Sequence, residues 1–304
     1  SLADHRDIQV IQGRAEFEDS RTLRLQGADL AHVHFEHAII ATGSHTIALP
    51  GTEFKDGGRI MDSTGALLLE DVPERLLVVG GGYVGLELGS VYAALGSEVT
   101  VVEMLDRVLA NSDEDLARPL VKRIQEIFAA VHTETKVADM EEGENEVKVT
   151  LDGDVEEKVQ TFDRVLVAIG RRPNSENIGL EKTDVEVDDH GFIQVDDRQR
   201  TADDHIFAIG DVVGGMMLAH KAMYEGKIAA EVIADLPAAF DAAAIPAVVY
   251  TDPQLAWAGL TEQEARKADR DIEIARFPWR ASGRALTMDA PEGLTKVIVD
   301  PESG

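Results

Sequence analysis

The 304-residue chain contains no cysteine. Disulfide scaffolds, cysteine-based zinc sites and thiol catalysis by its own residues are therefore excluded. Positive charge is also scarce: 29 Lys and Arg stand against 57 Asp and Glu, a net charge of -28. A nucleic-acid-binding surface needs the opposite sign. The plain reading of this excess is a well-solvated acidic surface, and the sharper one is adaptation to high salt. Long apolar runs are missing too. No stretch approaches the roughly 18 apolar residues of a bilayer-spanning helix. The opening "SLADHRDIQV" has no initiating Met and no apolar segment of the kind a signal peptide carries. Together these absences lead to the expectation of a cytoplasmic protein that is bound neither to membranes nor to nucleic acid.

What is present suffices for a packed molecule. Hydrophobic residues make up 44%, enough for a sizeable core, and the length allows two or three domains. Residues 1–43 alternate apolar and polar side chains, as in "DIQVIQGRAEFED" and "RTLRLQ", and read as short antiparallel strands closing with "HAIIATGS". Residues 44–72 read as irregular, with Pro50, Gly51, Gly57 and Gly58 marking turns. From Leu76 the pattern changes. "RLLVVG" is a buried strand, "YVGLELGSVYAALG" a helix ending at Gly96, and "SEVTVVE" a second strand. That makes a β-α-β unit of about 30 residues. "DEDLARPLVKRIQEIFAA" reads as a helix with Pro119 inside its pattern. "EVKVTLDG" and "TFDRVLVAIG" read as strands, and "MLAHKAMYEGKIAAEVIA" as a long helix. Pro237 and Pro246 bracket a linker, and "AVVYTDPQLAWAGLTEQEARKA" opens an α+β segment ending in the strand "LTKVIV".

Two stretches carry chemistry. Gly80, Gly82 and Gly85 form G-x-G-x-x-G between the strand and the helix. The first glycine permits the tight turn. The second lets backbone approach a pyrophosphate, and the third lets helix and strand pack closely. The helix N-terminus supplies free N–H groups to the phosphates. Glu103, eighteen residues past Gly85, can accept hydrogen bonds from adenosine ribose hydroxyls and would repel a 2′-phosphate, which favours NAD over NADP. Tyr83 and Glu87 share one face of the helix; packing for the Tyr and a solvated face for the Glu are the plainer readings. The second stretch is "HIFAIGDVVGG", where Asp211 follows a buried strand. It can bind a polyol or ribose hydroxyl at the sheet edge, or simply make an Asx turn. Seven residues on, "LAHKA" opens a helix whose N–H groups can face an electron-rich ring.

Six ordered stretches now resemble the pyridine nucleotide-disulfide oxidoreductase family, and most closely its lipoamide enzymes: "AIIATGS", "LLVVGGGYVGLELGSVYAALGSEVTVVEM", "VLVAIGRRPN", "GFIQVDDRQRTADDHIFAIGD", "MLAHKAMYEGKIAAEVIA" and "AVVYTDPQLAWAGLTEQEA". The resemblance implies an α/β fold: a Rossmann-like NAD-binding domain inserted in a second, partial FAD-binding domain, followed by the start of an α+β interface domain. Expected boundaries are 1–47 for partial FAD-binding, 48–167 for NAD-binding with its leading linker, 168–240 for the second FAD segment, and 241–304 for a truncated dimerisation domain. For NAD it implies Gly80, Gly81, Gly82, Tyr83, Val84, Gly85 and Glu103 at the pyrophosphate and ribose. Val137 would meet the adenine through its backbone, and Gly170 and Arg171 would end the nicotinamide site. Glu87 resembles the acid that touches the nicotinamide in a supporting role. Tyr83 departs from the aliphatic residue usual in lipoamide enzymes. For FAD the resemblance implies Ala15 at the adenine, Thr42 and Gly43 at the crossover, and Asp211 at the ribitol. Met217, Leu218, Ala219 and His220 would lie under the ring.

The implied reaction passes electrons from protein-bound dihydrolipoamide through a redox disulfide and FAD to NAD⁺. Its partners would be lipoyl domains of 2-oxo acid dehydrogenase complexes or of the glycine cleavage system, and its state a homodimer. The reaction also needs a C-x-x-x-x-C pair and a His-Pro…Glu motif with His as base. None of the nine His is followed by Pro, so no catalytic residue is expected here, and no metal site. The chain accordingly reads as an internal fragment, inactive alone. Two other readings stay open: a soluble transhydrogenase or other reductase of the family, and a non-catalytic NAD-binding module.

Overall fold

The computed structural model describes residues 4–302. Its chain divides into two compact units, residues 1–45 with 171–245, and residues 46–170 with 246–304. Each is therefore discontinuous in sequence, the second interrupting the first.

Residues 46–170 are built on a five-stranded parallel sheet in the order Ile60–Met61, Arg164–Val167, Arg75–Val79, Glu98–Val102, Ala130–His132. Period-two alternation within these strands divides the core between two faces. Leu76, Val78, Val99, Val101 and Leu166 pack with Leu86 and Tyr92 of the helix Tyr83–Leu95 and with Leu120 and Ile124 of the helix Glu114–Ile127. Leu77, Val79, Val102, Val165 and Val167 pack against an antiparallel sheet, Lys136–Glu142, Val147–Asp152 and Val159–Phe162, through Val147, Val149, Leu151 and Phe162. A parallel sheet covered on both sides needs such unbroken apolar runs. Gly96 ends the first helix in a left-handed conformation, φ 111°, as the sequence suggested.

Residues 246–304 add the hairpin Ala247–Val249/Leu255–Trp257, the helix Glu262–Lys267 and the antiparallel pair Glu273–Pro278/Leu294–Val299. Val249 and Leu255 join the helix-side core.

Residues 1–45 and 171–245 form an antiparallel sheet of Arg14–Asp19, Thr22–Gln26 and His32–His34, and a parallel pair Ala38–Ile40/Ile206–Ala208. Phe17, Ile40, Ile193, Ile206 and Val212 make its core. The helix Ala219–Ile233 packs through Ile228, Ala229 and Val232 on Phe207.

Three expectations change. Residues 7–13 form no strand: pairing begins at Arg14, and Ile8 and Val10 are exposed. Alternation there has no neighbour to bond, among the described residues, and alternation alone does not supply one. The segment 44–72 is less irregular than its glycines suggest, holding the strands Ser44–Thr46 and Ile60–Met61 and the helix Ser63–Leu68, whose Gly65 N–H bonds the Asp62 carboxylate at 2.8 Å. "TFDRVLV" is two strands in two sheets, separated at Asp163. The helix Glu114–Ile127 runs through Pro119 as its sequence pattern indicated, its face of Ala117, Leu120 and Ile124 outweighing one lost hydrogen bond.

The charge of -28 makes one prediction independent of any ligand. Raising ionic strength from about 0.1 M to about 1 M shortens the screening length from ~10 Å to ~3 Å. Self-repulsion then falls, and the melting temperature should rise. A flat or falling melting temperature in NaCl would rule out charge repulsion as a significant destabilising term.

Candidate functional site

The glycine loop lies at the carboxyl end of the strand Arg75–Val79. Gly80 has φ 109°, and a Cβ there would stand 2.4 Å from the Ala168 carbonyl oxygen. A Cβ on Gly85 would stand 2.2 Å from the Gly80 carbonyl oxygen. Both positions are thus dictated by the chain's own packing. Gly82 is different: a Cβ would meet no atom within 4 Å, so nothing in the chain itself demands glycine there. That open approach is what a pyrophosphate lying against backbone requires. Gly82 is also the N-cap of the helix Tyr83–Leu95, without a side-chain capping bond. No N-cap side chain therefore competes with an anion at this helix N-terminus.

Glu103 follows the strand Glu98–Val102. Its Oε2 accepts from the Gly81 N–H at 2.6 Å and its Oε1 from the Leu105 N–H at 2.8 Å. The carboxylate so braces the loop and keeps further lone pairs for ribose hydroxyls. Tyr83 is 41% exposed, and Val84 is half-buried. Glu87 corrects the solvated-face reading: it is half-buried, and its Oε1 accepts from the Tyr250 N–H at 2.7 Å. Val137 lies in the strand Lys136–Glu142 with its side chain against the second core cluster. Gly170, φ 131°, accepts from the Ile47 N–H at 3.1 Å.

The second site is in the other unit. Asp211 sits in a 3-10 turn, Gly210–Val213, and its Oδ2 accepts from the Ser44 hydroxyl at 2.6 Å. Arg171, grouped by sequence with the nicotinamide, turns its guanidinium to Ser44, with Nε to Oγ at 2.6 Å and an Nη to the carbonyl at 2.7 Å. It therefore stands beside Asp211. Thr42 donates to the Asn174 carbonyl at 2.7 Å, the Asn174 amide donates to the Thr42 carbonyl at 2.9 Å, and Asn174 N–H donates to Gly43 at 2.9 Å. Met217 and Leu218 are half-buried, Ala219 and His220 exposed. Leu218 is the N-cap of the helix Ala219–Ile233, and its apolar side chain makes no capping bond. In the strand Arg14–Asp19, Phe17 N–H bonds Ile178 on the outer edge at 2.8 Å. Strand parity puts the Ala15 backbone groups on that same edge, where a ring edge can be read by main chain. These residues fit a flavin dinucleotide: a carboxylate for a polyol, an uncapped helix for an electron-rich ring, and an edge strand for adenine.

Sequence reasoning missed three features. Ser44 and Asn174 hold the crossover, and only distance reveals them. Lys221 and Glu225 look like a surface i, i+4 pair yet are buried. Their spacing to Ile228 and Val232 is in phase with the buried face, a signal available in the sequence. The third is a charge cluster in the unit of the glycine loop. Lys296, its side chain 2% exposed, places Nζ 3.0 Å from Asp113, 3.0 Å from Asp115 and 2.5 Å from Glu262. These three carboxylates have a metal-like grouping, but the ammonium is already their cation.

Comparison with known proteins decides the family. A model described as pyridine nucleotide-disulphide oxidoreductase matches residues 1–226, and the family's dimerisation-domain model matches residues 245–304. The chain belongs to this family. Among relatives, the dihydrolipoyl dehydrogenase of Haemophilus influenzae is 46% identical over 99% of this chain and 63% of its own length. Dihydrolipoyl dehydrogenase 2 of Haloarcula marismortui is 45% identical, over 99% of this chain and 65% of its own. Among solved structures, the HOCl-induced flavoprotein disulfide reductase RclA of Escherichia coli superposes with a TM-score of 0.86 at 31% identity, covering 98% of this chain and 68% of that one. The chain thus spans about two thirds of the length of the proteins it matches. Pyridine nucleotide-disulphide oxidoreductases use FAD and NAD(H). No helix among the described residues is long and apolar enough to cross a membrane.

Proposed function

We propose that these residues are the nucleotide-binding part of a dihydrolipoamide dehydrogenase. The whole protein would pass electrons from protein-bound dihydrolipoamide through a disulfide and FAD to NAD⁺. The observation that carries this reading is the contrast within the glycine loop. Gly80 and Gly85 are fixed by internal packing, whereas at Gly82, the N-cap of the helix behind the loop, a Cβ would meet no atom within 4 Å. NAD supplies hydride-accepting chemistry when bound. The chain's own residues do the holding. Gly82 and the first-turn N–H groups would cradle the pyrophosphate, Glu103 the adenosine ribose, and the Val137 backbone the adenine. Gly170 would close the nicotinamide end, with Glu87 and Tyr83 beside the ring. In the other unit Asp211 would take the flavin ribitol, Thr42 and Gly43 would line the crossover, and the segment Met217–His220 would underlie the ring. Arg171 would steady Ser44 and, through it, Asp211. The partners would be a second copy of the whole protein and lipoyl domains of 2-oxo acid dehydrogenase complexes or the glycine cleavage system, in the cytoplasm.

With no cysteine, these 304 residues supply no thiol step, so lipoamide-dependent NADH formation by this chain alone should be absent. NADH binding should be present and measurable by fluorescence enhancement. It should be at least about tenfold tighter than NADPH binding, because a 2′-phosphate meets the Glu103 carboxylate. Equal or tighter NADPH binding would overturn the NAD assignment and favour an NADP-using reductase of the family.

A further inference from the structure

The helix Ala219–Ile233 buries one face made of Lys221, Glu225, Ile228, Ala229 and Val232. Its first two members are charged, with side chains 7% and 5% exposed. Burying such a pair costs more than an apolar pair of similar volume unless its remaining bonds are satisfied. Beyond the pair itself, both charges bond the same residue. Glu225 Oε1 meets Lys221 Nζ at 2.7 Å, while Oε2 accepts from the Gly210 N–H at 2.7 Å. Lys221 Nζ in turn reaches the Gly210 carbonyl at 3.3 Å. Gly210 has φ 79° and precedes Asp211 in the 3-10 turn. Both its peptide groups are thus gripped from below, one by each charge. On the far side of the turn, Asp211 is met by Ser44.

We propose that Lys221 and Glu225 are positioning residues for Asp211: the buried pair fixes the two peptides that flank Gly210, so that the carboxylate of the next residue presents itself to a polyol. This rests on Asp211 being the flavin ligand. Each Glu225 oxygen has its own partner, so Glu225→Gln, with one acceptor oxygen, must give up either Lys221 or Gly210. The fold-change follows from losing one charge-assisted hydrogen bond, worth roughly tenfold.

The test uses the full chain in four forms: native, Glu225→Gln, Asp211→Ala, and both together. Two readouts are taken, the FAD dissociation constant from flavin fluorescence quenching and the hydrogen-exchange rate of the Gly210 amide relative to amides in the helix Ala219–Ile233. Expected are about tenfold weaker FAD binding in Glu225→Gln, almost no further loss from that change in the Asp211→Ala background, and Gly210 exchange accelerated well beyond that of the helix. Equal losses in both backgrounds would overturn the proposal, as would Gly210 exchange that merely tracks the helix. If Asp211→Ala binds FAD like the native chain, the ligand reading of Asp211 fails instead. Selective acceleration at Gly210 would then still show that the pair holds the turn. Should the native chain bind FAD too weakly to measure, the exchange readout decides alone.

Discussion

A Lys296→Met chain should lose about 3–5 kcal/mol of folding stability in urea denaturation, as expected when one partner of a buried charge network is removed. Lys296 joins the strand Leu294–Val299 to the entry of the helix Glu114–Ile127, through Asp113 and Asp115, and to Glu262. Arg276 adds a second cation, with Nε 2.6 Å from Asp115 and an Nη 2.9 Å from Glu262. Asp113 also accepts from the Glu262 and Gln263 N–H groups at 3.0 and 3.3 Å. It thereby caps the helix Glu262–Lys267, where Thr261 and Glu264 already form a capping box. Removing the ammonium leaves three converging carboxylates with one half-exposed guanidinium. Neutralising Asp113, Asp115 and Glu262 along with Lys296 should recover part of the loss. A Lys296→Met midpoint equal to the native one would show that the cluster adds nothing to stability.

The same cluster sets a pH window. Burial raises the Asp115 carboxyl, but hydrogen bonds from Arg276 and Lys296 outweigh it and hold it below the usual range. A depressed carboxyl contributes stability that is present above its unfolded value, about 3.9, and is lost as pH falls through the folded value. Burial lowers the Lys296 ammonium, yet hydrogen bonds to Glu262, Asp115 and Asp113 raise it overall. Its contribution is full below the unfolded value, about 10.4, and is lost as pH rises through the folded value. The stability difference between native and Lys296→Met chains should therefore be flat between these limits and shrink on both sides. A difference that varied steadily through neutral pH would contradict this assignment.

The second large effect lies in the glycine loop, where two alanine substitutions three residues apart should part company. Gly85→Ala forces a Cβ to 2.2 Å from the Gly80 carbonyl oxygen and 3.0 Å from Val78. Backbone must move, so both stability and NADH binding should fall, the latter by roughly a hundredfold, about 2.7 kcal/mol. Gly82→Ala meets no atom within 4 Å and sits at φ -77°. It should cost no more than the ~1 kcal/mol of a poorer N-cap, while NADH binding still weakens by about tenfold because the methyl stands where pyrophosphate approaches. Unchanged NADH affinity in Gly82→Ala would mean that no ligand lies against that residue.

The sequence by itself determined the elements whose period, caps and glycines agree. The strand Arg75–Val79, the helix ending at Gly96 and the strand Glu98–Val102 were legible because buried runs, a turn glycine and a C-cap glycine all pointed one way. The packing demands on Gly80 and Gly85 were legible because they depend on spacing along one strand-turn-helix unit. Pairing was not legible. Residues 7–13 alternate but find no strand among the described residues, and "TFDRVLV" divides between two sheets at Asp163. Alternation records which side chains can face a core, whereas pairing depends on what folds alongside. The side chains holding the sites were decided by tertiary structure alone. Ser44 meets Arg171 across 127 positions and Asp211 across 167, and Lys296 meets Asp113 across 183. Charge in a sequence says only that a group can be solvated. Whether Lys221 and Lys296 keep their water or exchange it for carboxylates is settled when distant segments close over them, because desolvation becomes tolerable only with the partner already in place.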